Sequence, residues 1–369
     1  MRPTRAEVDL NAIAKNLRHV RACAGRKPLI MAVVKANAYG HGLVRVARHV
    51  VQHDLAQYLG VAIVEEGIAL RTAHILHPIL AFTTPEPSQL PLYAHYGIDA
   101  AVTSIEVAKA LNKLGASAGR KVTIHVKIDT GMGRLGILPA DALEFFRTLR
   151  QMEFLDIKGI FTHFASSDEK DLSFTRKQLK SFVTLRRELK DAGFDIPLAH
   201  CANSAAIMRV KDAALDMVRP GIMMYGYSPT GSVPAALEPA MSIRGKIGFM
   251  KYVPAGTPVS YGRRYTTSRD TLIATVAAGY ADGISRRLTN QMSVLIRGRK
   301  YPVVGTICMD QFMVDLGPGA EAVEGDDVTI IGRDTKAQIT AWDVAKTIGT
   351  IPYEVCCAVS ERVPRIYYG

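Results

Sequence analysis

The stretch Pro28-Leu29-Ile30-Met31-Ala32-Val33-Val34-Lys35-Ala36-Asn37-Ala38-Tyr39-Gly40-His41-Gly42 decides how the chain is read. An unbroken apolar run with β-branched members is the pattern of a strand buried on both faces, as in a parallel sheet. The run delivers one lysine, Lys35, to its end and then turns through glycines. At the carboxyl end of such a strand a lysine is partly desolvated, which favours the neutral amine, able to attack a carbonyl or hold it as a Schiff base. Lys35 is therefore read as the reactive centre, against the bland alternative of a solvated loop lysine.

Working outward, the same texture recurs. Apolar runs near residues 58–62, 78–82, 98–102, 122–128, 157–162, 197–201 and 217–218 are separated by helical patterns, giving eight short strands in all. Leu10, Ile13, Leu17 and Val20 follow Asp9 at helical spacing, Thr103-Ser104-Ile105-Glu106 is a capping-box pattern, and Leu179, Phe182, Leu185 and Leu189 form a stripe ending before Gly193. Eight strand–helix units close into a TIM-type (β/α)8 barrel, in which chemistry gathers at the carboxyl ends of the strands. Lys35, His163, Asn203, Ser204 and Arg219 fall at those ends. From about residue 235 the texture changes to short β-branched runs bounded by Gly, Pro and Asp, such as 271–276 and 328–331. The expected division is a barrel over residues 1–235 and a mostly β C-terminal domain over 236–369.

Composition excludes several classes. With 369 residues, 48% hydrophobic and 22% charged, the chain is of ordinary globular make-up and long enough for two domains. The net charge of +12 raises a polyanion partner, but the basic residues are scattered and those from Arg176 to Lys190 alternate with acids at helical spacing. Neither nucleic acid nor membrane is expected as a partner; the positive field suits small anionic ligands. Five cysteines with no CxxC pair suggest neither a disulfide framework nor a zinc site, and the charged N-terminus lacks a leader's apolar core, so a cytoplasmic location is expected.

Gly131-Met132-Gly133-Arg134-Leu135-Gly136 matches GxGxxG after a strand, which raises a dinucleotide site. No acid closes the next strand, which ends in His163, so that reading lacks its ribose ligand. Arg134 is the better clue, since its fork pairs with a carboxylate or phenolate. Ser204 before a helix, and Gly221-Ile222 after Arg219, offer donors suited to a phosphate. Tyr261 stands beside Arg263 and Arg264, cations that favour a phenolate.

Taken together, AEVDLNAI, AVVKANAYGHG, KIDTGMGRLG, THFA, ANSAA, VRPGIMMYG, VSYGR, GYADG, GTICMD and PYEV resemble the alanine racemase family over nearly the whole chain. The resemblance implies a pyridoxal 5'-phosphate-dependent enzyme, a homodimer with shared active sites, interconverting L- and D-alanine for peptidoglycan or alanine catabolism. It implies Lys35 as the cofactor lysine and one base, and Tyr261 as the second base, contributed across the dimer with Met309 as a substrate contact. Tyr39, Ser204, Gly221, Ile222 and Tyr353 become phosphate contacts, and Arg219 the partner of the pyridine nitrogen, with His163 its neighbour. Arg134 pairs with the phenolic oxygen and the substrate carboxylate, Asn203 lines the pocket, and Tyr280 with Tyr353 narrows the entrance. Lys127 matches a lysine that some members carry as a carbamate. The rivals are a broader small-amino-acid racemase, acting on serine for example, and a barrel-type decarboxylase. The decarboxylase needs a glycine-rich phosphate loop and a different C-terminal cysteine motif, and neither is present.

Overall fold

The computed structural model describes residues 3–231 and 236–369. It divides into two compact units. One takes the chain up to Ile13, Tyr39–Gly42 and Glu238–Gly369; the other takes Ala14–Ala38 and Leu43–Leu237. The domain boundary expected near residue 235 lies outside the described residues.

In the second unit the eight expected runs are strands: Leu29–Val33, Tyr58–Val61, Ile79–Ala81, Asp99–Val102, Val122–Lys127, Leu155–Phe161, Leu198–His200 and Met217–Val218. Each pairs in parallel with the next through the seventh, and the eighth returns to the first with Leu29 opposite Met217 and Ile30 opposite Val218. The remaining seam is closed by Asp216 N–H to the Ala199 carbonyl at 3.2 Å and Arg219 N–H to the Ala202 carbonyl at 2.9 Å. The result is a (β/α)8 barrel. Its strands are buried on both faces because helices cover the outside, which is why they read as continuous apolar runs. Met31, Tyr58, Leu80, Leu198 and Met217, drawn from five strands, make one apolar cluster. The helix start expected at Thr103–Glu106 is present, but the cap falls one residue later than that box: Ser104 Oγ accepts Val107 N–H at 3.3 Å and opens helix Ile105–Ala118.

The other unit is built on a nine-stranded sheet among the described residues. Its spine is the 13-residue strand Met241–Val253, long enough to pair with Arg5–Asp9, Asp327–Asp334 and Thr271–Val276 by breaking register at two bulges. Val253, Val259, Ile273 and Val304 pack one of its cores. Thr340 and Asp343 form a reciprocal capping box on helix Ala341–Ile348. Arg5–Asp9 belongs to this sheet, lying parallel to Arg365–Tyr368. Among the described residues no helix is long and apolar enough to cross a membrane.

One packing constraint places a polar group inside the barrel. Strand Val122–Lys127 shifts register between Ile124 and His125, opposite Gly159. A Cβ on Gly159 would run into His125 Nδ1 and come within 2.9 Å of the Leu198 carbonyl, so glycine is what admits the imidazole there. Gly159→Ala is expected to cost about 1–3 kcal/mol through overpacking. Chemical denaturation checks this; an unchanged midpoint would mean that the His125 ring can simply move aside.

Candidate active site

Lys35 follows the first barrel strand directly, and Val34 N–H still bonds the Gly60 carbonyl at 2.8 Å. The chain then makes a left-handed turn through four non-glycine residues: Ala36, Asn37, Ala38 and Tyr39 have φ of 52°, 53°, 54° and 52°, before Gly40 at 80°. Left-handed geometry costs an L-residue roughly 1–2 kcal/mol, so such a run must be held by its surroundings. Glu66 does part of this, accepting Ala36 N–H on Oε1 at 2.6 Å and Ala62 N–H on Oε2 at 2.7 Å. Asn37 Oδ1 accepts Leu43 N–H at 2.8 Å and so caps the next helix.

Arg219, directly after the eighth strand, is 4% exposed and has no carboxylate partner among the described residues. Its Nη2 donates to the Thr162 carbonyl at 2.7 Å and the Cys201 carbonyl at 3.2 Å and lies 3.4 Å from His163 Nδ1; Nη1 lies 2.8 Å from His200 Nδ1. The Nε–H takes no protein acceptor among the described residues. Burial lowers the guanidinium to about 10, which still leaves it charged at neutral pH.

The surrounding groups respond to that charge. His163 is held well below its ordinary value by burial first, then by Arg219, Lys127, Arg134 and Lys35. Lys127, 4% exposed, is lowered to about 7 by burial, then by Arg219 and Arg134, with Asp129 opposing. Its Nζ donates to the Ile128 carbonyl at 3.1 Å and lies 5.3 Å from the centre of the Phe161 ring. Lys35, Lys127, Arg134 and Arg219 thus act together on one imidazole, an assembly that calls for an anionic or electron-rich ligand.

Across the same unit, Ser204 opens helix Ser204–Arg209, whose cap is Asn203: Asn203 Oδ1 accepts Ala206 N–H at 3.0 Å and the Ser167 hydroxyl at 2.9 Å. Ser204 Oγ accepts Gly221 N–H at 2.9 Å and Met223 N–H at 3.2 Å, which draws the Gly221-Ile222 turn to the helix start. With those two amides spent on Ser204 Oγ, the Ser204 hydroxyl hydrogen is the donor left to offer an anion at this turn. The amides of the GxGxxG loop point at Asp129, whose Oδ1 accepts Gly131, Met132 and Gly133 N–H at 2.9, 2.8 and 3.1 Å. That loop presents Arg134, exposed and with no hydrogen bond among the described residues.

The other unit carries the remaining sequence-predicted residues in two groups. Tyr39 and Tyr353 face each other with ring centres 5.9 Å apart, and burial pushes the Tyr39 phenol upward. Tyr261, Tyr280 and Met309 are 71%, 42% and 52% exposed. The Tyr261 loop is held in place: Ser260, at φ 67°, donates to the Thr306 carbonyl at 2.6 Å, and Thr306 Oγ1 donates to the Tyr261 carbonyl at 2.7 Å. Tyr280 N–H reaches the Cys308 carbonyl and Ala281 N–H the Met309 carbonyl, each at 3.0 Å, which ties those two loops together.

Sequence reasoning missed Glu66, Asp99, His125, His200 and Thr162. The signal was available for the histidines: His125 interrupts the otherwise apolar Val122–Lys127 strand, and His200 ends Leu198–His200, positions where a polar side chain must find a buried partner.

Comparison with known proteins adds an independent line. The sequence matches the family descriptions "Alanine racemase, N-terminal domain" over residues 8–229 and "Alanine racemase, C-terminal domain" over residues 240–367. Alanine racemase 2 of Caldanaerobacter subterraneus subsp. tengcongensis is 44% identical over all of this chain and 95% of its own length. The alanine racemase of Halothermothrix orenii is 43% identical over 99% of this chain and 97% of its own. Among solved structures, alanine racemase of Clostridium difficile 630 superposes with a TM-score of 0.94 at 40% identity, covering 99% of this chain and 96% of that one. That of Bacillus anthracis with bound L-Ala-P gives 0.92 at 38%, covering 100% and 96%.

The Lys127 shift has a sign that can be tested. The unfolded amine titrates near 10.4 and the folded one at about 7. Between those values the unfolded chain binds the extra proton, so Lys127 makes stability rise as pH rises from about 7 to about 10. In bicarbonate-free buffer, urea unfolding at pH 7 and pH 9 is expected to show this rise in the wild type. Lys127→Met should flatten it, and an unchanged slope in the variant would refute the buried-amine assignment.

Proposed function

The chain belongs to the alanine racemase family, and from that premise we propose that it interconverts L- and D-alanine on pyridoxal 5'-phosphate, with Lys35 and Tyr261 as the two bases. The observation that carries this reading is Arg219: a buried cation without a carboxylate, its Nε–H turned to no protein acceptor among the described residues. A pyridine nitrogen is the acceptor that fits it. The rest of the donor set agrees. Lys35 supplies the amine for the aldehyde, and Ser204, Gly221 and Ile222, with Tyr39 and Tyr353, supply phosphate contacts. Bound there, the cofactor supplies an electron sink that acidifies the alanine Cα–H.

Racemisation removes the Cα proton from one face and returns one to the other, so two proton-holding groups are the economical design. Lys35 Nζ takes the proton of D-alanine and Tyr261 Oη that of L-alanine. Arg219 donates a hydrogen bond but does not give up its proton at neutral pH, which weakens the electron sink and discourages side reactions. Arg134 orients the substrate carboxylate through its free fork, with Met309 as a further contact. Asn203 shapes the wall, His163 stays neutral beside Arg219, and Tyr280 with Tyr353 narrows the entrance. Tyr261 and Met309 reach the site from a second copy of the chain; their exposure in a single copy supports an interface role.

Lys127 is the amine suited to take up carbon dioxide: its nitrogen bonds the carbon, a proton leaves, and the anionic carbamate stands in the field of Arg219 and Arg134. With 13C-bicarbonate a carbamate resonance is expected in the wild type and absent in Lys127→Ala; a wild-type spectrum without it refutes the modification. For the reaction itself, L-alanine in deuterated water should lose its Cα proton signal while D-alanine appears on chiral analysis, and no exchange would overturn the reading. Tyr261→Phe should abolish L-to-D conversion yet keep Cα exchange of D-alanine. Loss of cofactor absorbance instead would make Tyr261 structural.

A further inference from the structure

The polar chain that begins at Arg219 continues through the barrel. His200 Nε2 lies 3.0 Å from His125 Nδ1, and His125 Nε2 lies 3.6 Å from Asp99 Oδ2 and 3.4 Å from the Tyr58 hydroxyl, which itself donates to Asp99 Oδ2. His125 and His200 are fully buried, and Asp99 is 8% exposed. Proton positions along this chain are constrained at its Arg219 end because a guanidinium only donates. His200 Nδ1, 2.8 Å from Arg219 Nη1, must therefore accept. A neutral imidazole that accepts on Nδ1 carries its proton on Nε2, so His200 donates to His125 Nδ1. His125 in turn carries its proton on Nε2, which faces the Tyr58 oxygen at 3.4 Å, the Tyr58 proton itself going to Asp99, and the Asp99 carboxylate charge 3.6 Å away favours the proton there. An imidazolium at His125 would set two N–H groups against each other at the 3.0 Å link. Burial first, then Arg219 and Lys127, hold His200 well below its ordinary value.

The rings are held in place for this. His200 stacks on Phe161 with centres 5.0 Å apart and planes 1° from parallel, and meets His125 edge-on at 5.1 Å. Gly159 leaves room for the His125 ring.

We propose that Asp99 and His125 are positioning residues for alanine racemisation: the carboxylate fixes the direction of hydrogen-bond donation through His125 and His200, which keeps His200 an acceptor for Arg219 and holds the guanidinium with its Nε–H free for a ligand. The proton arrangement stands on geometry alone; only its effect on turnover rests on Arg219 as a cofactor contact. In Asp99→Asn the carboxamide can donate to His125 Nε2. That moves the His125 proton to Nδ1, the His200 proton to Nδ1 in turn, and puts N–H against N–H at Arg219.

Long-range 1H–15N spectra of the imidazoles in the full 15N-labelled chain read the tautomers directly. In the wild type, His125 and His200 are both expected as the Nε2–H form, and Tyr58→Phe should leave them so. In Asp99→Asn, His200 should lose its single Nε2–H form, and kcat should fall on the order of tenfold with KM little changed, as for a misaligned group. A wild-type His200 found as Nδ1–H or as imidazolium overturns the proposal, as does a folded Asp99→Asn with both tautomers unchanged. Should Asp99→Asn not fold, His125→Gln, which disconnects the carboxylate, is measured instead; mixed His200 tautomers are expected and a single Nε2–H form refutes it. Tautomers as expected in a wild type that fails to racemise alanine would instead refute the function and leave the relay standing.

Discussion

Burying the Arg219 guanidinium inside the barrel with no neighbouring carboxylate among the described residues is the constraint on which the rest of the site depends. Removing a full charge from water costs several kcal/mol unless every donor finds an acceptor. Four of the acceptors come from the carboxyl ends of neighbouring strands: the Thr162 and Cys201 carbonyls and the rings of His163 and His200. With no carboxylate beside it among the described residues, the charge adds to burial in holding His163 and His200 well below their ordinary value and in lowering Lys127. A site so biased accepts an electron-rich ring nitrogen or an anion and rejects a further cation.

The barrel was legible because its strands are buried on both faces, and two-sided burial writes a continuous apolar run that composition alone can detect. The helix start near Thr103–Ser104 was legible for a similar reason, being a local hydrogen-bond pattern a few residues long, although the cap itself is Ser104. What the sequence hides is long-range. Arg5–Asp9 reads as the approach to a helix, yet pairs with Met241–Val253 and Arg365–Tyr368, partners that no local pattern announces. The turn after Lys35 reads as a glycine turn, but reversal begins at Ala36, residues whose propensities argue against a left-handed path; Glu66, thirty residues on, supplies part of the support.

Of the candidate site, single strand-end residues such as Lys35 and Arg219 could be picked out from the strand pattern. Their partners could not, because His125, His200 and Asp99 acquire meaning only from register: His125 stands opposite Gly159, which stands opposite Leu198. The GxGxxG loop is the instructive opposite case. Its spacing suggested phosphate binding, but a side chain one residue before Thr130, Asp129, consumes its amides, so the same glycines serve to present an arginine.

These features explain why a polar chain can cross a barrel core without loosening it. A half-satisfied buried network destabilises, whereas a fully connected one is rigid and specific. The link from Tyr58 and Asp99 to Arg219 is continuous, and Tyr58 belongs at once to this chain and to the apolar cluster with Met31, Leu80, Leu198 and Met217. The packing that stabilises the barrel therefore also fixes the hydroxyl at the Asp99 end of the chain. Positional precision at the Arg219 end follows from close packing along the chain, since the His200 ring is stacked on Phe161 and the His125 ring fits where Gly159 has no Cβ. Fold stability and site geometry are in this sense one property of the barrel interior.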